Sequence, residues 1–188
     1  MKKNTAVFLD RDGTINEEVE YLSSLEELNI YPNSFEAIRL INESEMLAVV
    51  ITNQSGVARG YFDDDFVRTV HSRINEILQE KGGYIDRFYY CPHHPTEGKG
   101  RYLRSCDCRK PEPGMLIRAS EELDIDLARS YMVGDAAKDI ELAERVGAKG
   151  ILVKTGYGKN VTSSDIKPAH IAEDILDAVK WIMKDRQK

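Results

Sequence analysis

Short apolar runs alternate with longer amphipathic stretches along the whole chain. The apolar runs cover residues 6–9, 48–52, 85–90, 131–133 and 150–154, each nearly continuous in Val, Ile, Phe, Tyr or Met. Runs of that length without polar alternation predict strands covered on both faces. Between them, apolar positions recur at helical spacing and predict helices over 34–44, 64–81, 114–123, 138–146 and 171–184. Local cues agree with these bounds. Asn33 and Ser34 can cap the first helix, and Asp63, Asp64 and Asp65 supply the acids that favour the start of the second. Gly82 and Gly83 stop the second helix, and Pro113 opens the third. Strand–helix alternation implies a doubly wound parallel α/β sheet with helices on both faces and right-handed crossovers. One domain over 1–188 is expected, with a loop at 91–111 inserted after the third strand. An irregular stretch of that length in a compact domain is functional or is held by something.

Composition narrows the function. A chain of 188 residues, 41% hydrophobic and 31% charged, can bury a real core. A net charge of -6 argues against a nucleic-acid partner but leaves room for a small anionic substrate held by a few local cations. No apolar run approaches the ~20 residues that span a bilayer. The two lysines near the N-terminus precede an apolar stretch too short for a secretory signal. The expectation is a cytoplasmic monomer without a membrane partner. The 3 cysteines are odd in number and all fall between Cys91 and Cys108, so a disulfide framework is not expected.

In a parallel α/β sheet the ligand site lies at the carboxyl ends of the strands. Asp10 and Asp12 follow the first predicted strand, and Thr52 ends the second, followed by Asn53, Gln54 and Ser55. Gly134 and Asp135 follow the fourth, with Asp139 four residues on. The loop after the third strand ends in Arg109, Lys110 and Pro111. Clustered carboxylates are costly unless a cation neutralises them. An all-oxygen set suits Mg²⁺ together with a substrate phosphate. A hydroxyl and a lysine suit the equatorial oxygens of a phosphoryl group in transfer. One carboxylate can attack phosphorus, and a second, two residues away, can protonate the leaving oxygen and then activate water.

These motifs, D-x-D-G-T at Asp10 to Thr14, the strand-terminal Thr52, Lys110, and G-D-x-x-x-D ending at Asp139, resemble those of the haloacid dehalogenase superfamily of Mg²⁺-dependent phosphohydrolases. The resemblance covers most of the chain. It implies that Asp10 is the nucleophile and Asp12 the general acid and base. It implies that Asp10, the main-chain carbonyl of Asp12 and Asp135 hold Mg²⁺, while Thr52 and Lys110 stabilise the phosphoryl group.

The loop CPHHPTEGKGRYLRSCDCRKP carries a second metal signature. Cys91 with a histidine two or three residues on, and Cys106 with Cys108, make two soft pairs suited to a closed, structural tetrahedral Zn²⁺ site. His93 mirrors the C-x-C spacing and agrees with the family pattern; His94 is the alternative. Such a metal would stiffen the loop and position Arg109 and Lys110.

This loop also resembles two branches of the superfamily, the heptose 1,7-bisphosphate 7-phosphatases and the histidinol-phosphate phosphatases. TNQSGVARG at 52–60, the full CPHHP and the chain length favour the heptose branch, and with it a small sugar-phosphate substrate. In that branch Arg109 would recognise the substrate, and Glu18, Tyr21, Asn53, Gln54 and Ser55 would line the sugar pocket. The chain departs from the branch at Glu18-Val19-Glu20-Tyr21, where Asp-His-Gly-Tyr is usual. It departs again at Ala136, where Lys is common. A reading of another class, a non-catalytic zinc-stabilised binding module, predicts no turnover of any phosphate ester. His71, His170, Tyr89, Tyr90 and Trp181 are expected to be core or surface residues rather than ligands.

Overall fold

A computed structural model of the chain describes residues 3–162 and 166–187. Six parallel strands form one sheet in the order β3-β2-β1-β4-β5-β6. They are β1 (Ala6–Leu9), β2 (Leu47–Asn53), β3 (Arg87–Cys91), β4 (Tyr131–Gly134), β5 (Lys149–Val153) and β6 (His170–Ala172). The helices are α1 (Pro32–Glu43), α2 (Gly56–Arg59), α3 (Asp64–Gln79), α4 (Gly114–Glu122), α5 (Ala137–Val146) and α6 (Ile175–Asp185).

The side-chain alternation of the strands divides the core into two layers. Val7 and Leu9 of β1, with Val50, Val133 and Ile151, pack against Ile38 and Ile41 of α1, Ile74 and Leu78 of α3 and Val179 of α6. Ala6 and Phe8, with Val49, Ile51 and Met132, pack against Leu116 of α4 and Leu142 of α5. Both faces are covered, which is why the strands read as continuous apolar runs rather than alternating ones. The chain winds from β1 outward through β2 to β3, then returns to β4 on the other side of β1. The site at the strand ends therefore opens where the winding reverses.

Two expectations need correction. Residues 170–172 are not the start of the last helix but the edge strand β6, paired with Ile151, Leu152 and Val153. Asp174 then caps α6, accepting from the N–H groups of Leu176 at 2.9 Å and Asp177 at 3.0 Å. The apolar spacing of Ile171 happens to continue the helical period, and the cap is the cue that separates the two elements. Asn33 and Ser34 do not cap α1 either. Tyr31 occupies the cap without a side-chain bond and Pro32 opens the helix. Ser34 Oγ instead donates to the Ile15 carbonyl at 2.8 Å, which fixes α1 beneath the loop that follows β1.

The segment between β3 and α4 has one short 3-10 turn, Gly100–Tyr102. It is fastened from outside. The Asp64 carboxylate, at the first position of α3, accepts from Tyr90 Oη at 2.8 Å and also from Tyr102 Oη, so one acid ties helix, strand and loop. His71, Tyr89, Trp181 and His170 are structural. His71 stacks on Phe88, and His170 lies parallel to Trp181 at 4.9 Å. Among the described residues no helix is long and apolar enough to cross a membrane.

Ile74 is fully buried between α3 and the sheet. Ile74→Ala should cost about 2–5 kcal/mol through lost transfer energy and the cavity left behind. Urea denaturation with an unchanged m-value would register it; a loss below about 1 kcal/mol would mean that this layer collapses around the gap.

Candidate active site

The strand ends deliver their residues to one buried centre. Asp10, directly after β1, has its N–H bound to Val133 O at 2.9 Å, which keeps the chain in register with β4 for one residue beyond the strand. Its Oδ1 accepts from Lys110 Nζ at 2.8 Å and from the Arg11 N–H at 2.8 Å. Lys110 reaches past Asp10 to Asp139 at 2.7 Å, and neither the lysine nor the Asp139 side chain has any solvent exposure. Burial alone would favour the neutral amine; Asp10 and Asp139 outweigh it and hold the ammonium above its ordinary value.

Asp135, after β4, completes the cluster. Ligand oxygens of Asp10, Asp135 and Asp139 lie within 4.8 Å of one another. Gly13 and Gly156 wrap Asp135 closely, and a Cβ on either would fall within about 2 Å of its Oδ2, at 2.0 and 2.1 Å. Both have positive φ, so glycine serves the turn and the close approach at once. Tyr157 N–H donates to Asp135 Oδ2 at 2.8 Å, and Thr155 Oγ1 donates to the Gly13 carbonyl at 2.6 Å. Burial first, then the charge of Asp10, pushes Asp135 up to about 7. Burial, only partly offset by Lys110, pushes Asp139 up to about 6. Three buried acids with one ammonium are short of positive charge, which is the condition a hard, oxygen-seeking cation satisfies.

Asp12 stands apart from this cluster. Arg11 grips it with Nε to Oδ1 at 3.0 Å and Nη2 to Oδ2 at 2.8 Å. Asn16 Nδ2 donates to its Oδ1 at 3.0 Å and Gln54 Nε2 to its Oδ2 at 2.9 Å. Burial works to raise its pKa, but Arg11 and these donors prevail and lower it. Sequence reasoning missed Arg11, which is 2% exposed. Its partner is its sequence neighbour Asp12, a pair that no spacing rule marks.

Two of the residues expected to line a sugar pocket, Asn53 and Gln54, also bond within the site itself. Asn53 Oδ1 accepts from the Lys110 N–H at 3.0 Å while its Nδ2 donates to the Lys110 carbonyl at 3.2 Å. Gln54 Nε2 also donates to Thr52 Oγ1 at 2.9 Å, and Gln54 Oε1 accepts from Arg11 at 3.2 Å. Gln54 is buried with both amide protons used, whereas Asn53 is half-buried and uses one of its two. Ser55 leads into α2 without a side-chain cap. Glu18 faces the acids. Burial first, then Asp12, raises it to about 7, against a 2.6 Å bond from the Glu20 N–H. Tyr21 meets Tyr61 edge-on at 4.8 Å.

The loop gathers Cys91, His93, Cys106 and Cys108 at a second centre. The three sulfurs are 3.1–3.5 Å apart, and His93 Nδ1 lies 3.7 Å from Cys91 Sγ and 3.4 Å from Cys108 Sγ. The four ligand atoms are gathered closely enough to share one metal ion, and the Cys₃His set is one that tetrahedral Zn²⁺ takes. His94 is outside the group, its Nδ1 accepting from the N–H of Glu97 at 2.9 Å. Arg109 and Lys110 follow Cys108 directly. They enter a turn closed by Glu112 N–H to Arg109 O at 2.8 Å, and Arg109 Nη1 donates to the His93 carbonyl at 3.0 Å.

Known proteins share this arrangement. Residues 107–178 match the HAD-hydrolase-like family model. A D-glycero-beta-D-manno-heptose-1,7-bisphosphate 7-phosphatase of Pasteurella multocida is 44% identical over 97% of both chains. A D-glycero-D-manno-heptose-1,7-bisphosphate 7-phosphatase of Thermosynechococcus vestitus is 43% identical over 94% of both. The crystal structure of the D,D-heptose 1,7-bisphosphate phosphatase of B. bronchiseptica, complexed with magnesium and phosphate, superposes with a TM-score of 0.87 at 32% identity, covering 96% of this chain and 99% of that one. The chain belongs to the HAD-like hydrolase family, in the group formed by the heptose-1,7-bisphosphate 7-phosphatases.

Proposed function

We propose that the protein is a phosphatase that removes the 7-phosphate from D-glycero-D-manno-heptose 1,7-bisphosphate through an aspartyl-phosphate, with Mg²⁺ at the acid cluster and Zn²⁺ in the loop. The observation that carries the reading is the buried Asp10–Lys110–Asp139 chain beside Asp135, set in a fold shared with a magnesium- and phosphate-bound relative.

Each residue has a task in that chemistry. Asp10 attacks phosphorus as the bond to the sugar oxygen breaks, and Asp12 delivers a proton to that oxygen. Asp12 then takes a proton from water, the water attacks the aspartyl-phosphate, and inorganic phosphate leaves with Asp10 restored. Lys110 and the Thr52 hydroxyl face the charge of the transferring group. Asp10, Asp135 and the Asp12 carbonyl are the oxygen ligands that would hold Mg²⁺, with Asp139 engaged by Lys110. When bound, the ion neutralises charge on the phosphoryl oxygens. The half-buried Arg109 is the donor proposed for substrate recognition. Cys91, His93, Cys106 and Cys108 would close a structural zinc site with no open position.

Turnover of heptose 1,7-bisphosphate, histidinol phosphate and fructose 1,6-bisphosphate should be compared directly. The reading expects the heptose to lead in kcat/KM and Asp10→Asn to abolish turnover without unfolding. A variant keeping more than about a tenth of the rate would exclude covalent attack by Asp10, whose loss should raise the barrier by several kcal/mol.

Mg²⁺ should raise the melting temperature more at pH 8 than at pH 5. Asp135, raised to about 7, and Asp139, raised to about 6, are acids that the folded protein keeps protonated at lower pH. A proton on Asp135 competes with the ion, so the stabilisation should grow as pH rises through about 7. A shift of equal size at both pH values would place the ion elsewhere.

One zinc per chain should co-purify, and Cys108→Ser should lose it, lower the melting temperature and depress activity by loosening the turn that carries Lys110. Metal analysis of reduced protein finding no zinc would exclude that site.

A further inference from the structure

Beside the acid cluster, α2 ends in Arg59, whose guanidinium has an unusual setting. It lies over the Tyr21 ring at 5.5 Å from the centroid and pairs with the half-exposed Glu97 of the loop. Its Nε is buried without a hydrogen-bond partner among the described residues. A buried, unmet donor on a permanently charged group is costly, and a ligand that supplies the acceptor removes the cost. The loop is stitched to α2 at the same point, since Lys99 N–H donates to Ala58 O at 2.9 Å. Arg109 comes to this corner from the other side, anchored on the His93 carbonyl. His94 lies in the field of both. Both guanidinium groups are near enough to act on its ring.

We propose that Arg59 is a specificity residue, forming with Arg109 a seat for the phosphate that is not cleaved, with Glu97 occupying that seat until substrate arrives. The proposal rests on the bisphosphate reading above and gives its second phosphate a partner. The mouth of the site carries Glu18 beside Asp10 and Asp12, with Lys138 as a nearby cation. Glu18 and Glu20 lie on the loop above Asp10 and Asp12, and a second dianion entering there is repelled unless guanidinium groups offset it. Arginine is suited to this because its fork binds phosphate through paired N–H groups. Glu97 is a weak occupant. An exposed ion pair contributes little, and a doubly charged phosphate that meets Nε as well displaces it. Tyr21, braced by Tyr61, sets the plane against which the guanidinium rests.

The test compares kcat/KM for heptose 1,7-bisphosphate with that for 4-nitrophenyl phosphate in the wild type and in Arg59→Ala, Arg59→Lys and Glu97→Gln. Arg59→Ala should shrink the bisphosphate-to-monophosphate ratio about tenfold or more, chiefly through KM. Arg59→Lys should recover only part of it, because an ammonium lacks the fork. Glu97→Gln, a surface change, should lower KM for the bisphosphate. A wild type that shows no bisphosphate preference would overturn the substrate reading and this seat together. A wild type with the preference, and Arg59 variants that keep it, would overturn the seat alone. Equal loss on both substrates would mean that Arg59 only supports α2, and an unchanged KM in Glu97→Gln would remove Glu97 from the account.

Discussion

The site depends on one buried ammonium. Lys110 stands between Asp10 at 2.8 Å and Asp139 at 2.7 Å with no solvent exposure. Removing two carboxylates from water is expensive, and only a close, well-oriented cation recovers the loss. Much of the surrounding structure can be read as a device for keeping Lys110 in place. Asn53 clamps its peptide from both sides. Asp139 is fixed by the start of α5, its Oδ2 accepting from the Ala136 N–H at 3.2 Å. Cys108, two residues earlier, belongs to the sulfur cluster. A loop without a core of its own is thereby made stiff enough to aim one side chain into the domain.

The same lysine explains why the cluster is incomplete by itself. One positive charge is divided between two carboxylates, and Asp135 receives only a weak share of it. Asp135 answers by holding its proton up to about 7, the cheapest response of a buried acid that lacks a counterion. The acids are arranged for a charge that the polypeptide does not supply, which is what distinguishes a site for a cation from an ordinary buried ion pair.

What the sequence displays and what it conceals follow from how each residue acts. Groups proposed to act through their own chemistry at a strand end, such as Asp10, Thr52 and Asp135, are legible because a buried strand has little other reason to end in an acid or a hydroxyl. The four side chains of the Cys/His cluster are legible because soft residues are rare elsewhere in the chain. Residues that act through another residue are not. Asn53 and Gln54 read as site residues because they follow Thr52, but only the fold shows their amides bonded to Lys110, Asp12 and Thr52. Arg11 is hidden for the same reason, since its partner is its sequence neighbour and no spacing rule marks such a pair. In the fold, β6 was lost because three residues, His170–Ala172, carry too little pattern to separate a strand from the first turn of a helix.

Arg11 also sets the terms on which Asp12 can serve. The two tasks proposed for Asp12 need opposite protonation states. It must carry a proton to release the sugar oxygen and be bare to accept one from water. In the resting protein Arg11, Asn16 and Gln54 hold it ionised. That state suits the second step and not the first. Burial acts in the opposite direction and is the largest single influence on the group. A phosphate dianion entering beside Asp12 adds a like charge on the same side as burial, which moves the balance toward the protonated acid. Once the sugar has left, part of that negative charge sits on Asp10 as a covalent phosphate, and the Arg11 pairing can again favour the carboxylate. On this reading the arginine fork does not weaken a general acid. It confines the protonated state to the interval in which substrate is bound.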